Sequence, residues 1–175
     1  MNFGDRLLQA AQKRRENKRR KLKGPLGDYY RSGGNILLYD LPITSEGIVI
    51  DAGGFNGDWT RNIILMYGCR SEIFEPFPEY AVKLENFFRR NPHVNVHKVG
   101  LGGAGRLTNM AFQDDATSEF IPGTNMKGQD TQVEIVDVAD YLAKLQDAEI
   151  DCIKLNIEGA EYEVLERILE DKQIV

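Results

Sequence analysis

The stretch IVIDAGGFNGDW, from Ile48 to Trp59, passes from a short apolar run into an aspartate and then places three glycines within the next six positions. An apolar run that enters a glycine-rich turn and continues into a helical pattern reads as a buried strand joined tightly to a helix. That unit belongs to a sheet with helical crossovers. The flanking sequence repeats the alternation.

Downstream, Trp59 to Tyr67 has helical spacing with Ile63, Ile64 and Tyr67 inward, and Glu72 to Glu75 reads as a second strand. Glu79 to Arg90 is a second helix, stopped by Asn91-Pro92. Val94 to Val99 is a third strand. Gly102, Gly103 and Gly105 mark a turn, after which Arg106–Phe112 and Thr131–Val136 suggest an antiparallel excursion around a polar loop. Val138 to Leu145 is helical, Asp151 to Ile157 is a fourth strand, and Ala160 to Leu169 is its helix. Four strands linked by helical crossovers predict an α/β fold with a mostly parallel sheet.

A length of 175 residues, 42% hydrophobic and 28% charged, fits one globular body. No apolar run approaches the roughly 20 residues of a membrane span, and no signal-peptide core opens the chain. A soluble, cytoplasmic protein is expected. Cys69 and Cys152 lie far apart in apolar segments, as two buried reduced thiols, and no metal-ligand spacing is present. His93 and His97 flank the third strand in structural roles. The net charge of −5 divides into +7 on residues 1–24 and −12 on the rest. Residues 1–24 therefore read as a basic helical arm, either solvated or meeting an anionic partner such as a lipid surface, nucleic acid or acidic glycan. Residues 25–46 are a loop-rich linker by their Gly, Pro and Asp content, and 47–175 form the body.

The turn after the first strand lies where doubly wound sheets bind ligands. Gly53, Gly54 and Gly57 let a ligand approach the backbone closely. A P-loop would need a GK[ST] ending, and no Lys stands near the turn in sequence. The dinucleotide fingerprint GxGxxG fails too, because the glycines fall as GGxxG. Two acids at adjacent strand ends suggest a different ligand. Asp51 can accept from an ammonium or from the turn's own N–H groups, and Glu75, in IFEPFP, can take both hydroxyls of a ribose. S-adenosylmethionine carries both features. The plainer alternatives are a turn-capping Asp51 and a solvated Glu75.

IVIDAGGFNG, EIFEPFPEYAVKLENFF, VEIVDVADYL and IDCIKLNIEGAEYEVLERIL together resemble the FkbM family of S-adenosylmethionine-dependent methyltransferases, over about residues 47 to 170. The resemblance implies a Rossmann-like three-layer methyltransferase fold and methyl transfer to oxygen, often on a sugar or sugar-bearing natural product. It carries cofactor binding to Asp51, Gly53, Asn56, Gly57 and Glu75. Many members have Asp where this chain has Asn156. Asn156 stays a catalytic candidate but departs from the residue that would serve as a base, whereas Glu158 and Glu161, flanking Gly159, stand beside the cofactor's reactive end in this topology. Glu158 is the leading candidate for the base, with helix-dipole stabilisation as the alternative role for Glu158 and Glu161. Asp114 and Asp115 can reach over the site from the excursion loop. A sheet of this type usually adds three strands beyond the point where this sequence stops, so the expectation is a fourth-strand edge completed by further chain, a partner or an oligomer. A non-catalytic cofactor- or nucleotide-binding module is the alternative to an enzyme acting on a small-molecule or glycan acceptor.

Overall fold

The computed structural model describes residues 24–113, 116–118, 131–145, 148–157 and 159–170. The expectations for the basic arm (1–23), Asp114, Asp115, Glu158 and residues 171–175 lie outside these. The chain forms two compact units, Met1–Leu41 and Pro42–Val175.

In the first unit, the stretch read as a linker contains two short helices, α1 (Pro25–Arg31) and α2 (Gly34–Leu37). Pro25 at the helix start has its φ already set for a helix and no N–H to leave unpaired. Gly33, at φ 82°, makes the turn between the helices.

The second unit is built on a four-stranded parallel sheet in the order β3-β2-β1-β8. Its strands are β1 (Ile48–Ala52), β2 (Arg70–Phe74), β3 (Val94–His97) and β8 (Ile150–Leu155). All five residues of β1 are buried, as the unbroken apolar run requires of a strand covered on both faces. Side chains alternate between the faces. Ile50, Ala52 and Phe74 pack with Val138 and Leu142 of helix α5 (Val138–Leu142) and Val164 of α6 (Glu161–Glu170). Ile73 packs with Leu84 and Phe88 of α4 (Pro78–Phe88) and with Ile64 of α3 (Asp58–Tyr67). The result is the expected three-layer α/β arrangement.

A second sheet has the order β4-β7-β5-β6, formed by β4 (Gly100–Gly102), β5 (Arg106–Gln113), β6 (Ala116–Ser118) and β7 (Thr131–Asp137). The antiparallel pairing of β5 with β7 follows the sequence pattern. Strand β4 does not, because Gly102 reads as part of a turn and Gly100 falls between that turn and the expected third strand. They serve instead as a bare backbone: a Cβ would come within 2.5 Å of Ile135 at Gly100 and 2.6 Å at Gly102. Two ion pairs link this sheet to α6, Arg106 with Glu163 at 2.8 Å and Arg167 with Asp137 at 2.9 Å. No helix among the described residues is long and apolar enough to cross a membrane.

Candidate active site

The carboxyl ends of β1, β2 and β8 meet at one turn. Its backbone is anchored to β2, since the amides of Gly53 and Gly54 donate to the Phe74 carbonyl at 2.9 and 3.2 Å. Gly53, Phe55 and Gly57 have positive φ, and Phe55 does so without being a glycine. All three glycines of the turn face the protein itself. A Cβ at Gly53 would stand 2.1 Å from the Asn156 carbonyl, one at Gly54 would stand 2.3 Å from Ile73, and one at Gly57 would stand 2.9 Å from Leu84 and Phe88. The backbone is bare because β2, α4 and the residue after β8 press against it. Asn56, at the tip, is exposed.

Asp51 is 0% exposed. Its Oδ2 accepts from the Thr60 hydroxyl at 2.6 Å, and its Oδ1 accepts from the Lys154 ammonium at 2.8 Å. Both oxygens of this carboxylate are thus engaged by the protein's own side chains. Sequence reasoning passed over Lys154 because it is distant in the chain. Strand register sets it opposite Asp51. Its ammonium also donates to the Gly53 carbonyl at 2.8 Å, with a longer contact to Ala52 at 3.5 Å. A lysine on the carbonyl edge of a turn is the reverse of a phosphate cradle, in which N–H groups face the anion.

Glu75 follows β2 and is 6% exposed. Its Oε2 accepts from the Phe55 amide at 2.8 Å, and its Oε1 accepts from the Phe77 amide at 3.0 Å. Each carboxylate oxygen keeps a further lone pair, enough to accept one hydroxyl apiece. Burial pushes the Glu75 carboxyl above its ordinary range, and the two amide bonds oppose that shift. The Phe55 ring packs on Tyr80, with centroids 4.6 Å apart.

Asn156 follows β8 in an exposed position, with its backbone amide donating to the Ala52 carbonyl at 3.1 Å. Glu161 turns back over the segment before α6. Its Oε1 accepts from the Ile157 amide at 2.9 Å, and its Oε2 accepts from the Gly159 amide at 2.8 Å. Those bonds fix the backbone on both sides of residue 158, with Gly159 at φ 114°. Glu161 thus ties together the segment that leads into α6.

A second polar cluster lies on the α5 face of the sheet. Glu72 accepts from Asn95 at 2.9 Å and pairs with His97 Nε2 at 2.7 Å, while the Tyr141 hydroxyl stands 3.2 Å from the same nitrogen. Burial raises the Glu72 carboxyl, but the hydrogen bonds from His97, Asn95 and Tyr141 outweigh it and leave it below its ordinary range. His97 also stacks on Phe74 at 4.6 Å. His97, Tyr141 and Phe74 are among the residues that line a cavity of about 840 Å³, as are Arg106, Asp140 and Lys144. The cluster is a satisfied network that joins β2, β3 and α5, as expected of a structural His97. His93 is exposed. Cys69 is buried, whereas Cys152 is only half-buried on β8; both are free, and burial raises both thiols. Among the described residues no three His, Cys, Asp or Glu side chains gather as a metal site.

A parallel sheet covered on both faces, with a glycine turn and an acid at adjacent strand ends, has the form of a Rossmann-like methyltransferase. A family model described as the methyltransferase FkbM domain matches residues 51–174, and the chain belongs to that family of methyltransferases. No curated protein and no solved structure matches the chain.

Proposed function

We propose that the chain is a cytoplasmic, S-adenosylmethionine-dependent methyltransferase that transfers a methyl group to a hydroxyl oxygen of a sugar or sugar-bearing natural product. The observation that carries the cofactor reading is Glu75: a carboxylate at the end of β2, aligned by two backbone amides, with one unused lone pair on each oxygen. That donor set fits two adjacent ribose hydroxyls. Gly53, Gly54, Asn56 and Gly57 form the turn against which the rest of the ligand lies, and Asp51 supports that turn from within. The cofactor, when bound, supplies a methyl group already activated on a sulfonium, so alignment of the acceptor oxygen is the main demand on the protein. Glu158 is proposed to take the acceptor's proton, with Glu161 holding the flanking amides in place. The Asn156 amide can orient a hydroxyl but cannot take its proton. The free cysteines Cys69 and Cys152 support a reducing compartment, and the family resemblance supports the acceptor class.

The test is calorimetric binding of S-adenosylhomocysteine, its 2′,3′-dideoxy analogue and NAD. Wild type is expected to prefer S-adenosylhomocysteine to the dideoxy analogue by on the order of 10- to 100-fold, about 1.5–3 kcal/mol for bonds to a charged acceptor. Glu75→Gln should bind the two nearly equally, a comparison that separates hydroxyl recognition from any change in the turn. Equal discrimination in both proteins would take Glu75 out of the site. A preference for NAD would instead support a dinucleotide-binding module. Asn156 and the engaged Glu161 favour that kind of non-catalytic alternative, for which binding without transfer is the mark.

The basic arm is proposed to meet an anionic partner on the acceptor side. Deleting residues 1–24 should leave S-adenosylhomocysteine affinity unchanged and reduce retention on anionic vesicles, heparin-like polymer or nucleic acid, with the difference fading as salt rises. Equal retention of both proteins on all three would leave the arm without that role.

A further inference from the structure

We propose that Lys154 is the positioning residue of the strand-end site, holding the carbonyl edge of the turn whose amide edge aligns Glu75. This rests on the reading that Glu75 meets the cofactor's hydroxyls. The two side chains arrive from the strands on either side of β1, Lys154 from β8 and Glu75 from the end of β2. Lys154 binds the Gly53 carbonyl at 2.8 Å; two residues on, the Phe55 amide binds Glu75 at 2.8 Å. The turn between β1 and α3 is therefore gripped by a cation on its acceptors and an anion on a donor. The grip keeps Phe55 in its left-handed conformation, φ 47°, which a bulky residue adopts only when its surroundings impose it.

Lys154 is already committed to Asp51 and the Gly53 carbonyl, and its side chain is only 22% exposed, so its part is to place other groups rather than to touch the ligand. Its charge also acts on Glu75. Asp51 of β1 pushes the Glu75 carboxyl up and Lys154 of β8 pulls it down, while Tyr80 of α4 packs against Phe55 and Phe77, whose amides Glu75 accepts. Glu75 must be ionised to accept two hydroxyls. Affinity is then lost as pH falls through its folded pKa. Removing the ammonium while Asp51 stays moves that loss to higher pH. A packing defect alone would lower affinity by the same factor at every pH.

The experiment is titration of the full chain with S-adenosylhomocysteine across the acidic to neutral range, together with the ¹³C carboxyl shift of Glu75 in the unliganded protein. Lys154→Met is expected to move both midpoints upward, and Lys154→Arg to keep them at the wild-type position. Asp51→Asn, which leaves the cation alone, should move them downward and carries the test if Lys154→Met does not fold. Unmoved carboxyl midpoints in Lys154→Met, or in Asp51→Asn where it stands in, would overturn the proposal, as would an arginine variant that shifts like methionine. Failure of the underlying reading looks different: the carboxyl midpoint moves as expected, but ligand affinity keeps its pH dependence in Glu75→Gln.

Discussion

Replacing Gly53 with valine is expected to lower the melting temperature by about 5–20 °C, because each kcal/mol shifts the midpoint of a chain this size by about 2–4 °C. Two costs combine. At φ 81° a β-branched side chain sits in the left-handed region, at about 1–2 kcal/mol. Its Cβ would also stand 2.1 Å from the Asn156 carbonyl, so β8 must retreat from β1, with an overpacking cost of about 1–3 kcal/mol. Retreat breaks the bond from the Asn156 amide to the Ala52 carbonyl as well. A melting temperature within a degree or two of wild type would show that this glycine is not pinned by β8.

Asp51→Ala should be similarly severe. It removes the counter-ion of Lys154 and the acceptor of the Thr60 hydroxyl, both of which bond to a carboxylate at 0% exposure. Breaking a buried ion pair from one side costs about 3–5 kcal/mol, and the partial exposure of Lys154 points to the lower figure. Against a total stability of about 5–15 kcal/mol this is a large fraction. Asp51→Asn keeps an acceptor for Thr60 and should cost less. The paired Asp51→Asn/Lys154→Met change, which leaves no unpaired charge, should recover much of the loss. Urea midpoints at constant slope measure all three. If the double variant proved less stable than Asp51→Ala, charge pairing would not be what holds this position.

The sequence disclosed the parts of the molecule whose signals are local. The apolar run from Ile48 to Ile50 requires a strand buried on both faces, and the helical spacing of Ile63, Ile64 and Tyr67 and the stop at Asn91-Pro92 mark the two helices that cover one of those faces. Strand β4 was hidden because Gly100 and Gly102 give the same signal in a turn as in a strand lying bare against Ile135. The same ambiguity affects Gly53, Gly54 and Gly57, since a missing side chain does not say whether a ligand or the protein needs the space. Lys154 could not be found by spacing at all; only the parallel register of β1 and β8 brings it to Asp51. Glu161 carried both of its readings in the sequence. Its bonds to the Ile157 and Gly159 amides depend on a fold around residue 158 that spacing does not give.

The bond between Asp51 and Lys154 spans 103 residues. At synthesis rates of about 5–20 residues per second, the ammonium is made about 5–20 s after the carboxylate it neutralises. During that interval the nascent chain gains β2 and the helix α3 that joins it to β1, but it has neither the strand that closes the other side of β1 nor the cation for its turn. The far side of β1 is thus closed long after β1 itself is made. Until then the run from Ile48 to Ile50 stays open along one edge, an unpaired strand margin that only β8 will cover.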